Sequence, residues 1–134
     1  FLRIICDAAL LDTNSFLWFI SGNEKLSIKA RNFIEDFENE LVLSIASLWE
    51  IAIKVSIGKL QLLKHFDILI PEKIEENEIE ILNLELKHFS TMMKLPFHHR
   101  DPFDRIIIAQ SITENISVIT SDGIFEDYLV KVIW

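Results

Sequence analysis

At 134 residues, half of them apolar and a quarter charged, the chain is long enough for one packed core and too apolar for a disordered segment. Its formal net charge of −8 argues against a protein that grips nucleic acid by bulk electrostatics, because phosphate contacts need clustered Lys and Arg. That charge leaves room for an acidic site in which bound divalent cations invert the local potential.

A single cysteine, Cys6, rules out an intramolecular disulfide and a thiolate zinc site and fits a reducing, cytoplasmic setting. The longest apolar stretches, such as Leu41 to Val55, are broken by polar residues before the roughly 18–20 needed to cross a bilayer, so no membrane span is expected. With no internal repeat, low-complexity tract or Gly/Ser linker, residues 1–134 read as a single domain.

In chain order, Phe1 to Leu11 carries Arg3 and Asp7 and lacks a basic leader with a cleavage site. It reads as a strand entering the core, with Ala8 to Leu11 as its buried part ending at Asp12. The first residue is not Met, which fits a start inside a longer precursor. Asn14 to Ile20 reads as a short helix closed near Gly22. Ser27 suits an N-cap, and Ile28, Ala30, Phe33, Ile34 and Phe37 fall at helical spacing behind it. Leu41 to Leu43 forms a second strand, followed by an apolar helix from Ser47 to Ile57 that stops at Gly58. Its polar positions Ser47, Glu50 and Lys54 share one narrow face.

Further on, Pro71 to Asn77 predicts a polar helix, Ile79 to Leu82 a strand, and Glu85 to Met93 a helix that ends before Pro96. Asp101-Pro102 opens a helix over Phe103 to Thr113, Ser117 to Thr120 is a β-branched strand ending beside Asp122, and Val130 to Ile133 is a last strand. The alternation predicts an α/β fold with a mostly parallel central sheet and helices on both faces, where sites form beyond the carboxyl ends of the strands. The tryptophans Trp18 and Trp49 and the ten phenylalanines read as core, and His65 and His88 as surface or rim residues without a partner.

Asp12, Glu50, Asp104 and Asp122 each fall at a strand end or near a helix start, where such a fold can bring them to one rim. Hard ions such as magnesium and manganese prefer converging carboxylates and water, and can activate a water against a phosphodiester. Each acid also has a plainer use. Taken alone, Asp12 reads first as an N-cap and Asp122 as a turn residue, while Glu50 fits a capping box with Ser47 as well as it fits a ligand. Asp101 suits the N-cap of its helix, which leaves Asp104 for the ligand role. Arg100 and Arg105 lie beside that helix start, where a guanidinium fork suits phosphate and a solvated charged loop is the duller account.

The segments Leu10-Leu11-Asp12-Thr13-Asn14, Ser47 to Lys54, His98-His99-Arg100-Asp101-Pro102-Phe103-Asp104-Arg105 and Ile119-Thr120-Ser121-Asp122 resemble the successive motifs of PIN-domain proteins. More closely, they resemble VapC-type toxins of prokaryotic toxin-antitoxin pairs. The resemblance runs in order across nearly the whole chain; the second and third motifs are long and specific, the first and last short. It implies a three-layer α/β/α fold and a Mg²⁺- or Mn²⁺-dependent endoribonuclease silenced by a cognate antitoxin, often as a homodimer. It carries the metal-ligand roles onto Asp12, Glu50, Asp104 and Asp122, and supporting hydroxyls onto Thr13 and Ser47. Many close relatives have His where this chain has Asn14, although Asn is also found in the wider family, so the departure leaves the acids untouched and the resemblance assigns position 14 no definite role.

Two other classes compete. A catalytically silent PIN-like protein-binding module is disfavoured by four intact acids. A receiver-like phosphoacceptor needs an acidic pair after its first strand and a lysine after its last core strand, and Asp12-Thr13 and Ser121-Asp122 supply neither.

Overall fold

The computed structural model describes residues 7–134; the Phe1 to Cys6 part of the expected first strand, with its lone cysteine, lies outside the described residues. From there the order is β1 (Ala8–Leu11), α1 (Thr13–Ser21), α2 (Ile28–Glu35), β2 (Glu40–Ser44), α3 (Ile45–Ser56) and α4 (Phe66–Glu76). The second half adds β3 (Glu80–Leu82), α5 (Leu86–Lys94), α6 (Pro102–Glu114), β4 (Ser117–Ile119), α7 (Ile124–Asp127) and β5 (Val132–Ile133).

Among the described residues five strands pair in parallel, in the order β3-β2-β1-β4-β5, with Leu10 opposite Val42 on one side and Val118 on the other. The chain lays β2 and β3 outward from one edge of β1, then crosses back to lay β4 and β5 on the other. Strand order therefore reverses between β1 and β4, and in open α/β sheets the crevice beyond the carboxyl ends at that reversal is where ligands bind. Asp12 directly follows β1 and Asp122 lies just past β4.

Strand side chains alternate between two cores. Ala9, Leu11, Leu41, Leu43 and Ile119 join Phe16, Ala30, Ile34, Ile51 and Ile70 on one face. Leu10, Val42 and Val118 join Ile106, Ile107, Ala109, Phe125 and Tyr128 on the other. With both faces covered, the strands are continuous apolar runs, the pattern expected of a buried parallel sheet. No helix among the described residues is long and apolar enough to cross a membrane.

Several expectations are corrected. The third helix begins at Ile45, with Ser44 as N-cap accepting from the Ala46 amide at 3.1 Å, so Ser47 and Glu50 do not form a capping box. The strand runs straight into the helix, and the serine that ends one starts the other. Gly58 has a φ of 76°, as the stop signal required, one residue beyond the actual cap Ile57. The second helix ends at Glu35, because Asp36 is extended; Ile28 and Phe37, expected on its inner face, are 80% and 89% exposed. The fourth helix starts at Phe66, with Pro71 inside it, because burial of Leu69 and Ile70 favours helix upstream of the proline. Trp18 packs against the first core, but Trp49, Phe37 and Phe97 are exposed and do not belong to a core. His88 is fully buried, which corrects its reading as a surface residue, whereas His65 is exposed.

Candidate metal centre

Asp12 is placed by the β1–α1 junction. Its amide donates to the Ile119 carbonyl at 3.1 Å, tying the end of β1 to the end of β4. Its Oδ1 accepts from the Ser15 amide at 2.8 Å and its Oδ2 from the Thr120 hydroxyl at 2.7 Å. The cap expected of Asp12 is present, and it does not exhaust the carboxylate, which offers about four acceptor positions and has two filled. The group is buried, and that burial raises its pKa against the opposing hydrogen bonds from Ser15 and Thr120; the charge of Asp122 raises it further.

Thr13, the next residue, reaches across to α3. Its hydroxyl lies 2.7 Å from Glu50 Oε1 and 3.1 Å from Ser47 Oγ. The single Thr13 hydrogen goes to the carboxylate, so Ser47, which is fully buried, donates to Thr13 in turn. Glu50 also pairs with Lys54 at 3.0 Å, as their i, i+4 spacing on the narrow polar face predicts.

Asp104 enters from the first turn of α6. Asp101 is the N-cap, accepting from the Asp104 amide at 2.9 Å, as its place before Pro102 predicts. The Asp104 carboxylate meets His99 Nε2 at 3.2 Å. Its pKa is pushed up to about 6, first by burial and then by the negative charges of Asp101 and Asp12, with His99 opposing. Asp122 stands exposed past β4, its Oδ1 accepting from the Ile124 amide at 3.0 Å. It is a turn residue by its hydrogen bond and still close enough to raise Asp12.

Asp12 is buried and Asp104 half-buried, both carboxyls are raised in pKa chiefly by that burial, and the negative charge of Asp12 adds to the shift of Asp104. Oxygen donors of this kind fit a hard divalent ion such as Mg²⁺ or Mn²⁺.

The two arginines part company. Arg105 is buried: Nη1 donates to the Pro96 carbonyl at 2.8 Å and Tyr128 Oη at 3.2 Å, Nη2 to the carbonyls of Met92 and Leu95, and the guanidinium lies 4.1 Å from the centre of the Phe97 ring. Its donors hold the loop before α6, which corrects its expected role at a phosphate. Arg100 is exposed, and among the described residues its contact is a stacking one on Phe97 at 5.4 Å.

Sequence reasoning missed Thr120 and Tyr128, whose hydroxyls act at the site through Asp12 and His99; a hydroxyl at a strand end was the available signal for Thr120. It also missed a second acidic group. Among the described residues, the set whose ligand atoms lie within 4.8 Å of one another is Glu85, His88 and Glu114, not the four predicted acids. Here His88 Nδ1 accepts from the Glu85 amide at 3.0 Å, Nε2 meets Glu114 at 3.0 Å, and the Lys87 ammonium sits 2.9 Å from the same Glu114 oxygen. Both ring nitrogens are used and a cation is already in place, so the cluster caps α5 and ties it to α6.

The geometry thus defines an α/β protein with an acidic centre at its topological switch point. Residues 9–129 match the model of the PIN domain, and the chain belongs to that family, whose members are generally nucleases. No curated protein matches by sequence. Among solved structures, the chain is similar to VapBC2 from Rickettsia felis bound to a promoter DNA fragment, at 17% identity and a TM-score of 0.71, covering 93% of this chain and 96% of that one. It is also similar to FitAcB from Neisseria gonorrhoeae, at 19% identity and a TM-score of 0.64, covering 92% and 95%. A toxin-antitoxin complex from Klebsiella pneumoniae aligns at 17% identity and a TM-score of 0.58, covering 85% and 86%. At these identities the likeness establishes the shared fold.

Proposed function

We propose that the protein is a divalent-metal-dependent endoribonuclease, the VapC-type toxin of a toxin-antitoxin pair. The observation that carries this reading is the gathering of Asp12, Asp104 and Asp122 around the β1–β4 switch point, with Glu50 joined to them through Thr13. The similar solved structures, which are toxin-antitoxin complexes, support the partner.

Asp12, Glu50 and Asp104 are the residues that hold the metal, with Asp122 at the exposed rim. When bound, Mg²⁺ or Mn²⁺ supplies Lewis-acid charge at the scissile phosphate. The chain's own contribution is preorganisation. Ser15 and Thr120 fix both oxygens of Asp12, Thr13 fixes one oxygen of Glu50, and Asp101 fixes the helix start that carries Asp104. Arg100, free at the rim, contacts the RNA backbone. Water adds to phosphorus, one P–O ester bond breaks, and two shorter strands leave. The antitoxin and a second copy of this chain cover the exposed apolar side chains, among them Trp49, Met93 and Phe97, in a cytoplasmic complex.

Incubating the purified protein with total cellular RNA, with Mg²⁺ or with chelator, and mapping the new ends tests the reading. Mg²⁺-dependent ends at defined sites are expected. Intact RNA in both arms overturns the nuclease and leaves the silent binding module.

A further inference from the structure

We propose that His99 is a positioning residue for Asp104, locked by Tyr128 as the tautomer that carries its proton on Nε2. The proposal rests on the reading of Asp104 as a metal ligand.

The Tyr128 side chain comes from the end of α7 and is buried in the second core, with its hydroxyl beneath the loop that leads into α6. That oxygen has one hydrogen to give and room for two donors. Two N–H groups already point at it: the His99 amide at 3.2 Å and Arg105 Nη1 at 3.2 Å. A protonated His99 Nδ1 would be a third donor on an oxygen with no lone pair left. The Tyr128 hydrogen therefore goes to His99 Nδ1, its shortest neighbour at 2.8 Å, ahead of the His99 carbonyl at 3.3 Å.

With Nδ1 filled as an acceptor, the neutral ring must carry its proton on Nε2, which faces Asp104 Oδ2 at 3.2 Å. His99 thus donates to one oxygen of the carboxylate and leaves Oδ1 for an ion. The arrangement is held from behind. Arg105 is anchored by the carbonyls of Met92, Leu95 and Pro96, and the His98 ring stands edge-on to Tyr128 at 4.7 Å, so the hydroxyl has a fixed position. Hydrogen bonds from outer residues to metal ligands orient those ligands, and their loss costs about 10–100-fold in metal affinity.

Two measurements test it. Nitrogen NMR of the metal-free protein labelled at histidine, at about pH 8 where an ordinary imidazole is neutral, should show His99 with a pyrrole-type Nε2 and a pyridine-type Nδ1. Calorimetric titration with Mn²⁺ should show about a 10–100-fold loss for His99→Leu and recovery of most of it in His99→Gln, whose amide N–H reaches the same oxygen. A proton found on Nδ1, or His99→Leu binding Mn²⁺ as tightly as the parent, overturns the proposal. If His99→Leu does not fold, the tautomer and the His99→Gln titration decide. A parent that binds no Mn²⁺ overturns the metal centre itself, and the positioning role falls with it.

Discussion

The Thr13 hydroxyl donates to Glu50 at 2.7 Å, joining the first residue of α1 to the second turn of α3 across 37 positions of sequence. Glu50 is thereby pinned against the β1–α1 junction on one side and Lys54 on the other. Thr13→Val keeps the shape and removes the donor. A hydrogen bond to a charged group contributes about 1.5–3 kcal/mol, so the variant should lose part of that in urea denaturation. It should also bind Mn²⁺ more weakly than the parent, while Thr13→Ser should behave nearly as the parent in both assays.

Arg100 and Arg105, five residues apart, should respond to truncation in opposite ways. Arg105→Ala strands the main-chain carbonyls of Leu95 and Pro96 and removes one of several partners from the Met92 carbonyl and the Tyr128 hydroxyl, and each buried unsatisfied group costs about 1–3 kcal/mol. Thermal denaturation should show a large loss. Arg100→Ala should leave stability within about 0.5 kcal/mol. In RNA binding, measured with a catalytically inactive parent, it should lower the salt slope by about 0.7 for a single strand.

Helix capping gives a clean test of where α3 begins. Ser44→Ala should destabilise the fold by about 1 kcal/mol, since it removes the acceptor for the Ala46 amide. Glu50→Gln should leave the start of the helix intact, because Glu50 caps nothing.

The second acidic cluster sets part of the acid sensitivity. His88 and then Lys87 hold the Glu114 carboxyl below its ordinary value of 4.5, with Glu85 the other charge facing the cluster. For an acid whose folded-state pKa is depressed, the unfolded chain binds the proton more tightly. The stabilisation is complete above the ordinary carboxylate pKa and is lost as pH falls through the lower folded value. Denaturation midpoints of Glu114→Gln should therefore lie below the parent near neutrality and converge with it in acid. A constant gap across the range would remove this role.

Element types and order were legible because both strong signals, apolar runs of strand length and helical spacing, agree with the buried sheet. The boundaries that failed did so where one residue serves two elements, as Ser44 does, or where tertiary burial overrides a local rule, as Leu69 and Ile70 do around Pro71. For the acids, a cap or turn bond does not exhaust the carboxylate and so does not exclude a ligand role. Asp12 caps α1 and keeps free lone pairs, and Asp122 closes a turn and still charges Asp12. Long side chains were the least legible. Nothing local distinguishes Arg105, which turns inward, from Arg100, which does not, and nothing in the helical spacing of Trp49 shows that its face is left uncovered.

Where a divalent ion binds is the central claim, and the anomalous difference map of crystals grown with Mn²⁺ measures it directly. A peak coordinated by Asp12, Glu50 or Asp104 at the carboxyl end of the sheet is predicted. A peak at Glu85, His88 and Glu114, with none at the switch point, would contradict it.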